Sequence, residues 1–226
     1  MEELRPNAQR GRYALALIWV ILVFTIIILI GQVLQLLMLN TDIPDFIYYI
    51  TLGGIGYVGI LYSIAYIVSA VTFIMWFRRA YYNLRVKTGK TEYGDGWAAG
   101  GWFVPFLNLY MPYKIMKELY TKTDRYLYYE CEEPYTNRLN KSYVAGWWAL
   151  LLISGVIGRI SFRIEWRETY EVDPEVTLFL SIISSLLIIL SAIITIVVIK
   201  DYMEAEKLFN EANENAENVS LDNLYK

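Results

Sequence analysis

Four stretches of this chain are long and nearly free of charge. They cover residues 13–39, 46–77, 143–162 and 176–199. A helix that crosses a bilayer needs about 20 mostly apolar residues, so each stretch predicts a transmembrane helix. The second holds 32 uncharged residues. As one helix it would rise about 48 Å, against about 30 Å of hydrocarbon. Gly53 and Gly54 mark a break, with the crossing at 55–77 and residues 46–52 in the outer interface. Pro44, suited to a helix's first turn, leaves open one unbroken, tilted helix.

The basic residues set the direction. The N-terminus holds Arg5, Arg10 and Arg12, segment 78–143 holds eleven Lys/Arg, and the tail beyond Ile199 holds three lysines. The other two connections hold only Arg163 and Arg167, and Arg159 sits at the edge of the third span. The positive-inside rule therefore expects both termini and segment 78–143 in the cytoplasm. The expected organisation is a cytoplasmic N-terminus (1–12), a four-span membrane domain (13–199, enclosing 78–143) and a cytoplasmic helical tail (200–226). The first apolar run exceeds the core of a signal peptide and reads as a retained span.

Composition removes several chemistries. Without histidine there is no His-based acid–base or nucleophile system and no His metal ligation. The single cysteine, Cys131, lies among Glu130, Glu132 and Glu133, which disfavour a thiolate, and one cysteine makes no intrachain disulfide. No phosphate-binding loop, zinc pattern or nucleic-acid motif is present. No catalytic residue, metal ligand or cofactor site is expected.

Residues 97–113 are apolar yet carry Gly100, Gly101, Pro105 and Pro112. Seventeen residues of helix rise about 25 Å, short of a crossing. A crossing would also place the flanking basic segments in opposite compartments. Trp97, Trp102, Tyr110 and Tyr113 suit the headgroup level. The expectation is an interfacial element, with a shallow re-entrant loop as the alternative. Beyond Pro112, the residues Ile115, Met116, Leu119, Tyr120, Tyr126 and Leu127 recur at helical spacing. Lys114, Lys117, Glu118, Thr121, Lys122 and Arg125 take the other face, and Glu118 pairs with Lys122 across one turn. Such a helix lies on an anionic leaflet or packs on other helices.

The same residues carry a resemblance. "WFRRAYYNL" (76–84) followed by "GWAAGGWFVPFLNLYMPYKIMKEL" (96–119) resembles the signature of bacterial multi-pass membrane proteins of the domain-of-unknown-function 4328 family. The matching positions are Trp76, Arg79, Asn83, Trp97, Gly101, Trp102, Pro105, Asn108, Pro112 and Glu118. The resemblance implies a multi-span protein of the bacterial inner membrane and brings no activity, substrate or cofactor. Within it, Arg79, Asn83, Trp102 and Asn108 form the candidate cluster for an anionic headgroup or a protein partner. Trp76, Trp97, Gly101, Pro105, Pro112 and Glu118 are read as structural.

Elsewhere, Thr177, Ser181, Ser184, Ser191 and Thr195 make one helical stripe, read as helix packing rather than a polar pathway. Gly56, Gly59, Ser154 and Gly158 are read the same way. No Asp or Glu lies within a span, which argues against an energised transporter. Tyr202, Ala205, Phe209, Ala212, Ala216 and Val219 predict a helix continuing the fourth span, packed on segment 78–143 or self-associated. The fold expected is all-α: a four-helix transmembrane bundle with a cytoplasmic amphipathic helical layer. The function expected is a non-enzymatic scaffold, accessory subunit or lipid-sensing protein. The alternatives are a small-solute or lipid transporter or channel and, third, a lipid-modifying enzyme.

Overall fold

The computed structural model describes residues 3–39, 41, 44–130, 139–166 and 173–224. Cys131, Asp42 and the acidic connection 167–172 lie outside the described residues, as do the side chains of 212–224. Six α-helices are described: α1 (Ala8–Met38), α2 (Asp45–Thr88), the short α3 (Trp97–Gly100), α4 (Met111–Glu130), α5 (Lys141–Trp166) and α6 (Pro174–Leu224), with a 3-10 turn at Leu107–Leu109. There is no strand among the described residues. Four of the helices, α1, α2, α5 and α6, are long and apolar enough to cross a membrane.

Local chemistry places the ends. Asn140 Oδ1 accepts the backbone N–H of Ser142 at 3.0 Å, and Asp173 Oδ1 accepts that of Glu175 at 3.0 Å, so both residues act as N-caps. Pro174 and Pro112 occupy first turns, where a missing N–H costs nothing. The expected break at Gly53–Gly54 does not occur, and α2 runs unbroken for 44 residues. A glycine costs a helix about 1 kcal/mol, whereas an unmade backbone hydrogen bond in hydrocarbon costs several. The ladder therefore persists.

The chain divides into two compact units. The first gathers Met1–Leu15, Thr72–Ala145 and Val197–Lys226; the second gathers Ala16–Val71 and Gly146–Ile196. The first has a closed aromatic core, with Trp76, Phe77, Tyr81, Tyr120 and Tyr202 essentially inaccessible. The apolar face of α4 (Ile115, Met116, Leu119, Tyr120, Leu127) is buried in this core. Of the two expectations for that face, packing on helices is the one realised. The start of the α6 extension packs there too: Tyr120 donates to the Val198 carbonyl at 2.8 Å, and the Thr123 and Tyr202 hydroxyls meet at 3.3 Å. Glu118, expected on the outer face, is buried.

The second unit shows the opposite pattern. Tyr57, Ile60, Ile64 and Ile67 on α2 are each more than half exposed. Apolar surface on this scale is not tolerated against water, so its natural solvent is lipid. Many contacts inside this unit are made through small residues. Ser181, Ser184, Ser185, Ser191 and Thr195 are buried, and Gly158 faces Ser184. Gly56 and Gly59, read as packing residues, face open space instead. The close approach is at Gly31, where a Cβ would fall 2.6 Å from Ile55.

Two glycines make a test. A Cβ at Gly101 would lie 2.8 Å from Met111 Cγ and 2.9 Å from the Trp97 carbonyl. Gly101→Ala is expected to destabilise by about 1–3 kcal/mol through overpacking. Gly53→Ala, in open space, is expected to be neutral or to stabilise by up to about 1 kcal/mol. Thermal unfolding in detergent measures both, and an unchanged Tm for Gly101→Ala would contradict the packing described.

Candidate functional site

The candidate residues lie in the first unit, where α2 emerges from its apolar run. Arg78 is exposed and Arg79 half-buried. Partial burial, then the nearby Arg10 and Arg5 guanidiniums and less strongly Arg78, lower the pKa of Arg79, which remains a cation at physiological pH. Arg10 Nη1 donates to the Met75 carbonyl at 3.4 Å. The Arg5 guanidinium stacks on Tyr82, 4.3 Å from the ring centre, and Arg85 approaches the same ring at 5.5 Å. None of Arg5, Arg10, Arg78 and Arg79 has a carboxylate within ion-pair distance among the described residues.

Asn83 is 1% exposed and faces inward. Its Oδ1 accepts the Arg5 backbone N–H at 3.1 Å, and its Nδ2 donates to the Arg5 carbonyl at 2.9 Å. This pair of bonds holds the N-terminal segment as a sheet partner would. Asn83 Nδ2 also reaches Glu206 Oε1 at 3.2 Å, and Asn7 Nδ2 donates to both oxygens of Glu206 at 3.1 and 3.0 Å. Glu206, 4% exposed, is therefore bonded by two neutral amides. Burial pushes its pKa up to about 7, and the amide bonds pull the other way.

Glu206 is the residue that sequence reasoning missed. Its signal was its phase: it stands one turn after Tyr202 and beside Ala205, on the stripe that is buried. Trp102 packs edge-on against Phe73 and Phe77, with ring centres 5.8 and 6.4 Å away. Asn108 lies in the 3-10 turn, its backbone N–H bonded to the Val104 carbonyl at 3.0 Å. Phe103 and Phe106 between them are 75% and 82% exposed, and Phe106 takes a left-handed backbone, φ 65°. Asn83 is thus joined to the N-terminal segment and α6, and Trp102 to the aromatic face of α2.

The residues read as structural have these settings. Trp76 is enclosed and meets Tyr202 edge-on at 6.0 Å. Glu118 accepts a short bond from the Tyr81 hydroxyl, the backbone N–H of Glu92 at 2.7 Å, and Lys122 Nζ at 2.7 Å. Tyr81 accepts the Tyr93 N–H at 3.1 Å, and Lys122 donates to the Lys90 carbonyl at 2.8 Å. The connection from α2 to α3 is thereby fastened to α4. Pro112 is buried, Pro105 is exposed, and Trp97 opens α3, partly exposed.

The family described as "Domain of unknown function (DUF4328)" matches residues 54–204, about two thirds of the chain. The chain belongs to this family. With four apolar helices of spanning length, it is a multi-pass membrane protein. No curated protein and no solved structure matches it. Asn83 falls inside the family match, and its partners Arg5 and Glu206 fall outside it.

The raised pKa of Glu206 has a definite sign. The last uncharged residue before the tail is Ile199, so Glu206 stands about 10 Å of helix beyond the apolar run. Its carboxyl binds a proton more tightly folded than unfolded, so its contribution to stability is complete at low pH. That contribution is lost as pH rises from about 4.5 through about 7. The loss between pH 5 and 8 is expected to be roughly 3 kcal/mol. Glu206→Gln, neutral throughout, is expected to raise Tm at pH 8 and flatten its pH dependence. An equally steep Tm profile in the variant would assign the dependence elsewhere.

Proposed function

We propose that this protein is a non-enzymatic, lipid-sensing scaffold or accessory subunit of the bacterial inner membrane that reads anionic headgroups at its cytoplasmic face. The observation that carries the reading is the group of four guanidiniums, Arg5, Arg10, Arg78 and Arg79, without carboxylate partners among the described residues. Guanidinium forks match phosphate oxygens in geometry as well as charge. The group stands where the apolar run of α2 ends, which is where headgroups lie.

The neighbouring loop supports the same level. Trp102 rests on Phe73 and Phe77, near the end of that apolar run, and the same loop exposes Phe103, Phe106 and Leu109. Exposed aromatic and aliphatic side chains beside a basic group suit insertion into the inner leaflet. In this reading residues 97–130 form the cytoplasmic interfacial layer, 1–12 and 200–226 are cytoplasmic, and 13–199 is the membrane domain. The clasp of Asn7 and Asn83 on Glu206 holds Arg5 and Arg10 beside Arg79, so headgroup binding and the α6 extension share one anchor. A protein partner would be recruited by segment 78–143. Trp102 and Asn108 belong to its membrane-facing edge.

Two measurements test this. In a Cys131→Ser background, cysteines at Glu92 and Glu204 are expected to be shielded from an impermeant external reagent, and one at Glu171 to be labelled. External labelling at Glu92 would overturn the orientation. Arg10→Ala combined with Arg79→Ala is expected to lower retention of phosphatidylglycerol about tenfold, the scale of lost charge-assisted hydrogen bonds, with Tm nearly unchanged. Retention unchanged per folded molecule would make the arginines anchors of position only.

A further inference from the structure

We propose that a cavity among α1, α2, α5 and α6 of the second unit binds one anionic phospholipid. An acyl chain would run along the cavity, and the phosphate would rest on Arg159 and Arg163. This site shares no residue with the headgroup site above and does not depend on it. The cavity measures about 950 Å³, at the upper end of the ~300–1,000 Å³ usual for ligand pockets.

The shape and the wall favour a chain. Along α5 the lining runs from Leu151 to Arg163, a rise of about 18 Å. Ile21, Leu151, Val156 and Ile188 supply apolar walls. Two of the hydroxyls that line it are occupied within their own helices: Ser154 donates to the Leu151 carbonyl at 3.2 Å and Thr195 to the Ser191 carbonyl at 2.6 Å. No carboxylate lines the cavity among the described residues. A hydrated solute or cation would find few free polar groups there, whereas a hydrocarbon chain would lose nothing. Tyr66, Val156 and Ile160 line the cavity and are also exposed, which opens it sideways to lipid.

Charge selects the headgroup. Arg159 and Arg163 stand four residues apart, neighbours on one helical face, and both line the cavity. Neither has a carboxylate partner among the described residues. Their level follows from contacts inside this unit: Gly158 faces Ser184, and the adjacent Ser185 bonds Gln32 Oε1 at 2.8 Å. Gln32 lies in the outer third of the apolar run of α1, and Arg159 and Arg163 follow Gly158 toward the end of the apolar run of α5, on the side where that run gives way to headgroups. Two guanidiniums above an apolar slot complement a phosphate attached to a chain.

The test uses the full-length protein in phosphatidylcholine nanodiscs holding a minor fraction of phosphatidylglycerol with a photoreactive acyl chain. Adducts are expected on the peptides that contain residues 151–163 and 188–195. A Cβ at Gly155 meets open space, and Gly155 lines the cavity, so Gly155→Phe is expected to place a ring in it. That variant is expected to lose those adducts about tenfold. Arg159→Gln with Arg163→Gln, at exposed positions, is expected to remove the preference for phosphatidylglycerol over a phosphatidylcholine probe, again about tenfold. Arg79→Ala is expected to leave these adducts unchanged, so failure of the two sites is read separately. Adducts that persist in folded Gly155→Phe, or equal labelling of the wild type by both probes, would overturn the proposal.

Discussion

A peptide group that cannot hydrogen-bond in hydrocarbon costs several kcal/mol, and the membrane half of this protein is arranged around that cost. It explains why α2 ignores Gly53 and Gly54, which in water would be a reasonable place to stop. It explains why the Gly- and Pro-rich stretch 97–110, whose backbone cannot form a continuous ladder, is a set of turns instead of a span. The hydroxyls of Thr25, Ser154 and Thr195 obey the same constraint by bonding carbonyls of their own helices.

The two units solve the burial problem in opposite ways. In the first, large aromatic rings interlock, and the buried side chains of Asn83, Glu118, Thr123 and Glu206 are hydrogen-bonded. Glu118 shows this well: a carboxylate buried on α4 satisfies the Tyr81 hydroxyl, a loop N–H and Lys122 at once. In the second, serine, threonine, alanine and glycine share the core with Ile21, Leu22, Trp147, Trp148 and Ile196, and many other large apolar side chains point outward. Small residues let helix backbones approach where no hydrophobic effect drives them together.

Glu206 differs from every other buried acid described. Its partners are neutral amides, so it has hydrogen bonds without a countercharge. Asn7 Oδ1 is buried close by and accepts no hydrogen bond, leaving an acceptor for a proton on Glu206 once that amide rotates. The N-terminal segment, α2 and α6 meet at this one carboxyl, and the arginines of that segment and of α2 reach the surface beside it. A change of protonation there acts on all three elements.

The sequence by itself determined the four spanning helices, the failure of 97–113 to form a fifth, the helical continuation of the fourth, and the Glu118–Lys122 pair. Each depends on local quantities: run length, the fixed φ of proline, helical phase. It also singled out Arg79, Asn83, Trp102 and Asn108, because a motif orders residues along the chain. Only the tertiary structure decided what each touches. Asn83 turns inward to Arg5 and Glu206, and Trp102 lies on Phe73 and Phe77. It decided that the apolar face of α4 is covered by protein, that Gly56 and Gly59 face open space, and that Gly11, Gly31 and Gly101 are the crowded glycines. The partners of Asn83 are 78 and 123 residues away in the chain, and no local pattern specifies which of several equally apolar faces will meet.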